Sequence, residues 1–204
     1  MNNTIKLTKN QTIRLTKMIP YTETAYVALG WKTNRYRGGR DFDLDLSLFI
    51  LDENRNCLDD KHFVWFQHKF TPENCIAHSG DDRNGNNDSD AEVATMQLSK
   101  MPDKAKYVSI VVTIFDHGSD QHFGLVDDAY IRILNKDKEE KVRFNISEEE
   151  ATSSSVSMRF GEFERVGEEE WEFKAIGEGS SMDLEDYIIE YGLDLQYIFN
   201  KYCK

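Results

Sequence analysis

The stretch Asp41-Phe42-Asp43-Leu44-Asp45-Leu46-Ser47-Leu48-Phe49-Ile50-Leu51 alternates between two kinds of residue. Successive side chains of a β-strand point to opposite faces of a sheet. One face of such a strand would carry four apolar residues, Leu44, Leu46, Leu48 and Ile50. The other face would begin with three aspartates, Asp41, Asp43 and Asp45. We therefore predict a strand over residues 42–51 that places its apolar side in a core and its carboxylates on the opposite side.

Similar short runs occur along most of the chain. Thr4-Ile-Lys-Leu-Thr-Lys9 returns as Thr12-Ile-Arg-Leu-Thr-Lys17, and this alternation predicts a β-hairpin that turns at Lys9-Asn10. Further strands are predicted over residues 25–31, 62–66, 93–98, 106–115, 129–134, 142–145, 155–164 and 170–175. Many short strands separated by turn residues indicate a mainly β fold, either a sandwich or a barrel.

The C-terminal residues follow a helical period instead. Two sets of apolar residues recur at helical spacing: Leu184, Tyr187, Ile188 and Tyr191, then Leu195, Ile198, Phe199 and Tyr202. Ser180-x-x-Asp183 resembles a capping box, and Gly192 is a typical helix stop. We predict one or two short helices in a tail over about residues 181–204 that packs on the β domain. No linker separates the two, so residues 1–204 are predicted to form a single domain.

Bulk composition limits the partners. The 204 residues carry a formal net charge of −12, which disfavours nucleic acid and suits cations or basic proteins. The longest apolar run, residues 108–115, is too short for the ~20 residues of a membrane helix, so no direct membrane insertion is expected. Three cysteines without a Cys-x-x-Cys pair, and a polar N-terminus, predict a cytoplasmic protein.

A second acidic stretch, Gly80-Asp-Asp-Arg-Asn-Gly-Asn-Asn-Asp-Ser-Asp-Ala-Glu92, contains five carboxylates and three asparagines. Hard oxygen ligands of this kind are those that Ca²⁺ prefers. The spacing is not that of an EF-hand, because position six counted from Asp81 is Asn86 where glycine is required. The plain alternative is a solvated turn. A Ca²⁺ site requires this stretch to meet the aspartates of residues 41–45 in the fold.

The order of these motifs resembles the TerD family of tellurium-resistance and general-stress proteins. The resemblance rests on Gly30-Trp31, on the two acidic stretches, and on five later segments. These segments are Val112-Thr-Ile-Phe-Asp116, Gln121-His-Phe-Gly124, Ala129-Tyr-Ile-Arg132, Phe160-Gly-Glu162 and Trp171-Glu-Phe-Lys-Ala175. Together they span nearly the whole chain.

The resemblance implies an antiparallel β-sandwich with two neighbouring Ca²⁺ ions bound between loops at one end. Its ligands, transferred by matching position, would be Asp41, Asp43, Asp45, Asp81, Asp82, Asn84, Asp88, Asp90 and Glu92. The sequence contains no nucleophile elbow, Walker loop or His-Glu-x-x-His motif, so we expect a protein that is not an enzyme. We also expect it to join other proteins of a stress or membrane-associated resistance complex.

Several alternatives remain open on the sequence. One is a Ca²⁺-dependent membrane or phospholigand-binding module resembling C2 domains, with Phe42 as a weak apolar candidate at a loop tip. Another is a hydrolase that uses two close metal ions. Zinc binding would draw on cysteines and histidines whose spacing matches no familiar pattern, namely Cys57, His62, His68, Cys75 and His78. The basic cluster Arg35–Arg40 is interpreted as a counter-charge for the neighbouring aspartates rather than as an anion site.

Overall fold

The computed structural model describes residues 4–32, 42–80, 90–115, 121–146 and 155–203. These residues form two six-stranded β-sheets and two C-terminal α-helices. The first sheet contains, in spatial order, β1 (Ile5–Leu7), β10 (Glu140–Asn145), β9 (Asp127–Leu134), β3 (Thr24–Lys32), β7 (Glu92–Gln97) and β6 (Ile76–His78). The second contains β2 (Thr12–Arg14), β12 (Trp171–Ser180), β11 (Ser157–Arg165), β8 (Tyr107–Ile114), β4 (Leu44–Leu51) and β5 (Phe63–Val64).

The main core lies between the two sheets. The four apolar residues predicted to share one face of β4 all belong to this core and are fully buried. Alternate residues of β7 and β8 point into the same layer, among them Met96 and Ile110. The sandwich prediction is therefore confirmed. Neighbouring strands run antiparallel except for β1, which lies parallel to β10 at the edge of the first sheet.

The two helices cover the outer face of the second sheet. They are α1 (Leu184–Glu190) and α2 (Leu195–Tyr202), and they confirm the predicted helical tail. Their buried residues pack on Phe49 and Phe63, whose rings stack at 4.3 Å, and on Val111. Tyr191 at the end of α1 shares a hydrogen bond of 2.9 Å with Ser109 of β8. Because the second sheet is covered on both faces, every residue of β4 is buried.

The predicted N-terminal hairpin is wrong. The chain does turn at Lys9-Asn10, where Asn10 has a φ of 66°. However, β1 pairs with β10 in the first sheet and β2 pairs with β12 in the second. The alternation correctly identified two half-buried strands, but it carries no information about which strands they pair with. Residues 5–14 therefore bridge the two sheets, and β1 and β2 do not pair with each other.

Other differences are local. The predicted strand over residues 62–66 is reduced to β5, because Asp59 caps a 3₁₀ turn over Asp60–His62. The helix cap is Asp183 rather than Ser180, since Asp183 and Asp186 form the reciprocal capping box while Ser180 still belongs to β12. Gly192, with a φ of 76°, ends α1 as predicted. Strand β6 was not predicted, and it carries a residue that organises the site described next.

Candidate functional site

The two acidic stretches approach each other where β3, β4 and β7 meet. The strand β3 ends near the start of β4, because Trp31 Nε1 donates a hydrogen bond of 3.1 Å to the carbonyl oxygen of Phe42. The same strand holds the start of β7, since the Ala91 amide donates to the carbonyl of Leu29 at 2.9 Å. The end of the first stretch and the end of the second are thus attached to one strand.

A buried carboxylate joins the stretches directly. Glu92, the first residue of β7, is fully buried and points into the layer between the sheets. Its Oε2 accepts a hydrogen bond of 2.6 Å from the amide of Leu46 in β4. Leu46 lies beyond Leu48, where the pairing of β4 with β5 stops. The Glu92 side chain of the first sheet therefore accepts a hydrogen bond from β4 at a position where the second sheet has no β5 residue to pair with Leu46.

His78 completes this junction on β6. Its Nε2 lies 3.1 Å from the carbonyl oxygen of Leu46 and 3.5 Å from Glu92 Oε2. Its Nδ1 accepts a hydrogen bond of 2.9 Å from the amide of Gly80. In this arrangement Nε2 donates to the Leu46 carbonyl and Nδ1 accepts from Gly80. His78 therefore holds Gly80, the residue that precedes the acidic residues 81–89 in the sequence.

The second oxygen of Glu92 has a different environment. Glu92 Oε1 is shielded from solvent and has no hydrogen-bond partner among the described residues. A buried carboxylate oxygen without a donor is costly, and a bound cation is one way to offset that cost.

Asp90 is held by the first sheet. Its two oxygens accept hydrogen bonds from Arg132 Nε at 2.7 Å and Nη2 at 2.8 Å, and Oδ1 also accepts from the Tyr130 hydroxyl at 3.2 Å. The hydrogen bond to Asp90 raises the pKa of Arg132. Burial, and then the charge of Asp90, raise the pKa of Tyr130. Two carboxylate oxygens offer about four lone-pair positions, so one position on Oδ2 is left.

Gly30 makes this arrangement possible. Gly30 and Tyr130 are direct partners in the ladder between β3 and β9, and the tyrosine ring lies over the glycine. A methyl group at Gly30 would lie 2.7 Å from Tyr130 Cε1 and nearer still to its Cζ and hydroxyl oxygen. Arg143 also packs on this ring, with its guanidinium carbon 3.8 Å from the ring centre.

The aspartates of the first stretch occupy different positions. Asp43 precedes β4, and its carbonyl oxygen accepts a hydrogen bond of 2.8 Å from Phe115. Asp45 is 4% exposed, and its side chain lines a cavity on the outer face of the second sheet, opposite to the layer that contains Glu92. The remaining predicted ligands lie outside the described residues, namely Asp41, Asp81, Asp82, Asn84 and Asp88.

Within the described ranges no group of three or more metal-binding side chains occurs. His62 is buried, with Nδ1 2.6 Å from Asp59 Oδ1 and Nε2 3.3 Å from Glu73 Oε2. Phe42, the apolar candidate for a membrane-binding loop tip, is only 1% exposed, so that assignment is wrong. The basic cluster Arg35–Arg40 falls outside the described residues.

Sequence reasoning missed the roles of His78, Tyr130 and Arg132. His78 was considered only as a zinc ligand, because β6 is too short to give a periodic signal. Tyr130 and Arg132 belong to a recognised motif, Ala129-Tyr-Ile-Arg132, and their i, i+2 spacing on a strand places both on one face. This i, i+2 spacing could have predicted that Tyr130 and Arg132 bind the same side chain, which the structure shows to be Asp90.

Comparison with known proteins gives the family. The model of the TerD domain matches residues 3–191. The chain belongs to the TerD family. General stress protein 16U of Bacillus subtilis (strain 168) is 36% identical over 194 residues, which cover 94% of this chain and 99% of that protein. Tellurium resistance protein TerD of Serratia marcescens is 33% identical over 192 residues, which cover 93% and 98%.

A solved structure has the same fold. It is described as a homologue of telluride resistance protein (TerD) from Streptomyces coelicolor A3(2). Its TM-score to this chain is 0.65 at 18% identity, over 81% of this chain and 95% of that one. The TerD sandwich described above is therefore shared at low identity. Neither described α-helix of this TerD protein has the length and apolar character needed to cross a membrane.

Proposed function

We propose that this TerD protein acts by binding Ca²⁺ rather than by catalysis. Two neighbouring ions would be held between the acidic stretches at residues 41–45 and 81–92. The observation that carries the proposal is the junction at Leu46, where Glu92 and His78 fix the end of one stretch beside the other. The relatives named for general stress and tellurium resistance support a role in stress resistance.

The described residues suit a calcium ion in two respects. Glu92 Oε1 is a buried oxygen that lacks a donor among them, and Asp90 keeps one lone-pair position while it binds Arg132. Ca²⁺ takes six to eight oxygen ligands at about 2.3–2.6 Å. The proposed ligands are those listed from the sequence, of which Asp81, Asp82, Asn84 and Asp88 come from residues 81–89. Asp45 lies across the second sheet from Glu92, so these two would not hold the same ion.

Binding would act as a switch. Several carboxylates brought together repel each other, at about 0.8 kcal/mol for two unit charges 5 Å apart in water and more near a protein surface. A divalent ion removes this repulsion and favours the conformation in which the two stretches are closed on it. The ordered surface would then bind other proteins of a stress or membrane-associated resistance complex. Co-purification in Ca²⁺ and in chelator is the direct comparison for that step.

Calorimetric titration with Ca²⁺ after treatment with chelator tests the ion binding. A ligand at 100 times its Kd stabilises the folded state by about 2.7 kcal/mol. For a chain of this length that corresponds to a rise in Tm of roughly 5–10 °C. Absence of both binding heat and a Tm change at millimolar Ca²⁺ would rule the proposal out.

A pair of variants makes the test specific. Asp41→Asn combined with Asp43→Asn removes two proposed ligand charges and is expected to weaken Ca²⁺ binding at least about tenfold, or 1.4 kcal/mol. Asp103→Asn combined with Glu168→Gln removes two charges at exposed sites away from the junction and is the matched control. Equal losses in both proteins would indicate a general effect of net charge and not a defined site.

A further inference from the structure

A cavity of about 630 Å³ lies between the outer face of the second sheet and the C-terminal helices. Its walls come from β4, from β8, from residues 65–67 after β5, and from both helices. Pockets that bind small molecules commonly measure about 300–1,000 Å³. The cavity is separated from the Glu92 junction by the thickness of the second sheet.

The walls of the cavity are held in fixed positions. The helix α1 is attached to the sheet by the hydrogen bond between Tyr191 and Ser109, and Ile188 is buried on the same side. The helix α2 is attached by Asp60, which accepts hydrogen bonds from Lys201 Nζ at 2.5 Å and from the Tyr202 hydroxyl at 2.7 Å. Both helices that border the cavity are thus attached to the rest of the domain by side-chain hydrogen bonds.

Aromatic rings form much of the lining. Trp65, Phe66 and Phe115 follow each other along one side, with ring centres 5.0 Å and then 6.3 Å apart, and each successive pair meets edge to face. Phe199 of α2 contributes to the lining as well. Phe115 is 53% exposed, an unusual position for a large apolar side chain and one that a ligand would cover.

Every charged residue in the described part of the lining is acidic. Three carboxylates border the cavity, namely Asp45, Asp183 and Glu185, and the described residues that line it include no lysine, arginine or histidine. An anionic ligand such as a fatty acid or a phosphate ester would meet like charge here. An organic cation would meet opposite charge and aromatic faces, which attract cations through their electron density.

Trp65 contributes apolar surface to the wall. The side chain is 5% exposed, and its indole Nε1 is shielded from solvent. A ligand in the cavity would therefore contact carbon atoms of Trp65 and not its N–H group.

We propose that this cavity binds a small aromatic or alkyl ammonium compound. The ammonium group would lie by the carboxylates, and the apolar part against Phe66 and Phe115. This inference does not rest on Ca²⁺ binding, although Asp45 belongs both to this wall and to the proposed calcium ligands. Phe199 and Cys203, on the α2 side, lie after the residues that the family model matches.

The test uses two probes with one skeleton and opposite charge, tyramine and 3-(4-hydroxyphenyl)propionate. Each is titrated into the ¹⁵N-labelled full chain in chelator, so that the outcome is independent of Ca²⁺. The three indole N–H signals are observed, and Trp65→Phe identifies the signal of Trp65. Tyramine is expected to shift that signal saturably and to bind at least about tenfold more tightly than the anion. The signals of Trp31 and Trp171 should stay in place.

Two variants and a control localise the binding. Cys203→Trp places a large ring at the cavity and is expected to abolish the saturable shift, while unchanged signals of Trp31 and Trp171 show that the fold is intact. Glu185→Gln should weaken tyramine binding several-fold, and Glu168→Gln, on an exposed turn, should not. The proposal is overturned if neither probe saturates at millimolar concentration, if the anion binds as well as the cation, or if Cys203→Trp leaves binding unchanged.

Discussion

The packing of Tyr130 over Gly30 can be tested by a single methyl group. Gly30→Ala places a carbon 2.7 Å from Tyr130 Cε1, so the ring must move away. Overpacking of this kind costs about 1–3 kcal/mol. The displaced ring also loses its hydrogen bond to Asp90, worth about 1 kcal/mol. We expect Gly30→Ala to destabilise the protein by about 2–4 kcal/mol in total.

The assay is urea unfolding, in which a change in midpoint at constant slope reports the loss of stability. Gly167→Ala is the matched control, because its added carbon would lie 3.2 Å from the Glu170 side chain, which can move. A double-mutant cycle with Tyr130→Val then isolates the contact. In the Tyr130→Val background the alanine should cost much less, since the ring that it displaces is absent. An equal cost in both backgrounds, or a wild-type midpoint for Gly30→Ala, would refute the reasoning.

Three further outcomes are expected. Glu92→Ala should lower the free energy of unfolding by about 1–3 kcal/mol in chelator, because a buried amide of β4 loses its acceptor; an unchanged urea midpoint would contradict this. Tyr191→Phe should cost about 1 kcal/mol, and adding Ser109→Ala should cost little more because both remove one hydrogen bond; additive losses would count against the bond. Burial raises the pKa of Cys57 to about 12, so iodoacetamide at pH 8.5 should modify Cys203 first, as followed by mass spectrometry. Because the unfolded Cys57 thiol ionises near pH 9, its contribution to stability is present below that pH and falls as the pH rises towards 12; a flat Tm across this window would exclude a measurable contribution.

The sequence predicted the elements of this fold better than their partners. The leucine stripe of β4 is a local pattern, and the structure places it in the core as expected. The N-terminal repeat is an equally clear local pattern, yet its two strands pair with β10 and β12, more than 125 residues away along the chain. Alternation reports which face of a strand is buried, whereas pairing depends on which edges the rest of the fold leaves open.

The candidate site shows the same division. Acidic composition pointed to residues 41–45 and 80–92, and Glu92 does contact the strand that follows the first stretch. The contact uses the backbone of Leu46, which no side-chain pattern could reveal. His78 was hidden because β6 has only three residues and its ring bonds to backbone atoms on both sides. A hydrogen bond to a main-chain group does not require a particular partner residue, so it produces no recognisable spacing of residue types in the sequence.

The crossing of the N-terminal residues between the two sheets has a consequence for synthesis on the ribosome. Strand β1 needs residues 142–144 as its neighbour, and β2 needs residues 172–174. At roughly 5–20 residues per second, β2 must wait on the order of ten seconds or more after it is translated. Until their partners are translated, β1 and β2 remain unpaired near the N-terminus of the nascent chain. Strand β2 can pair only after β12, the last strand in the sequence, has emerged.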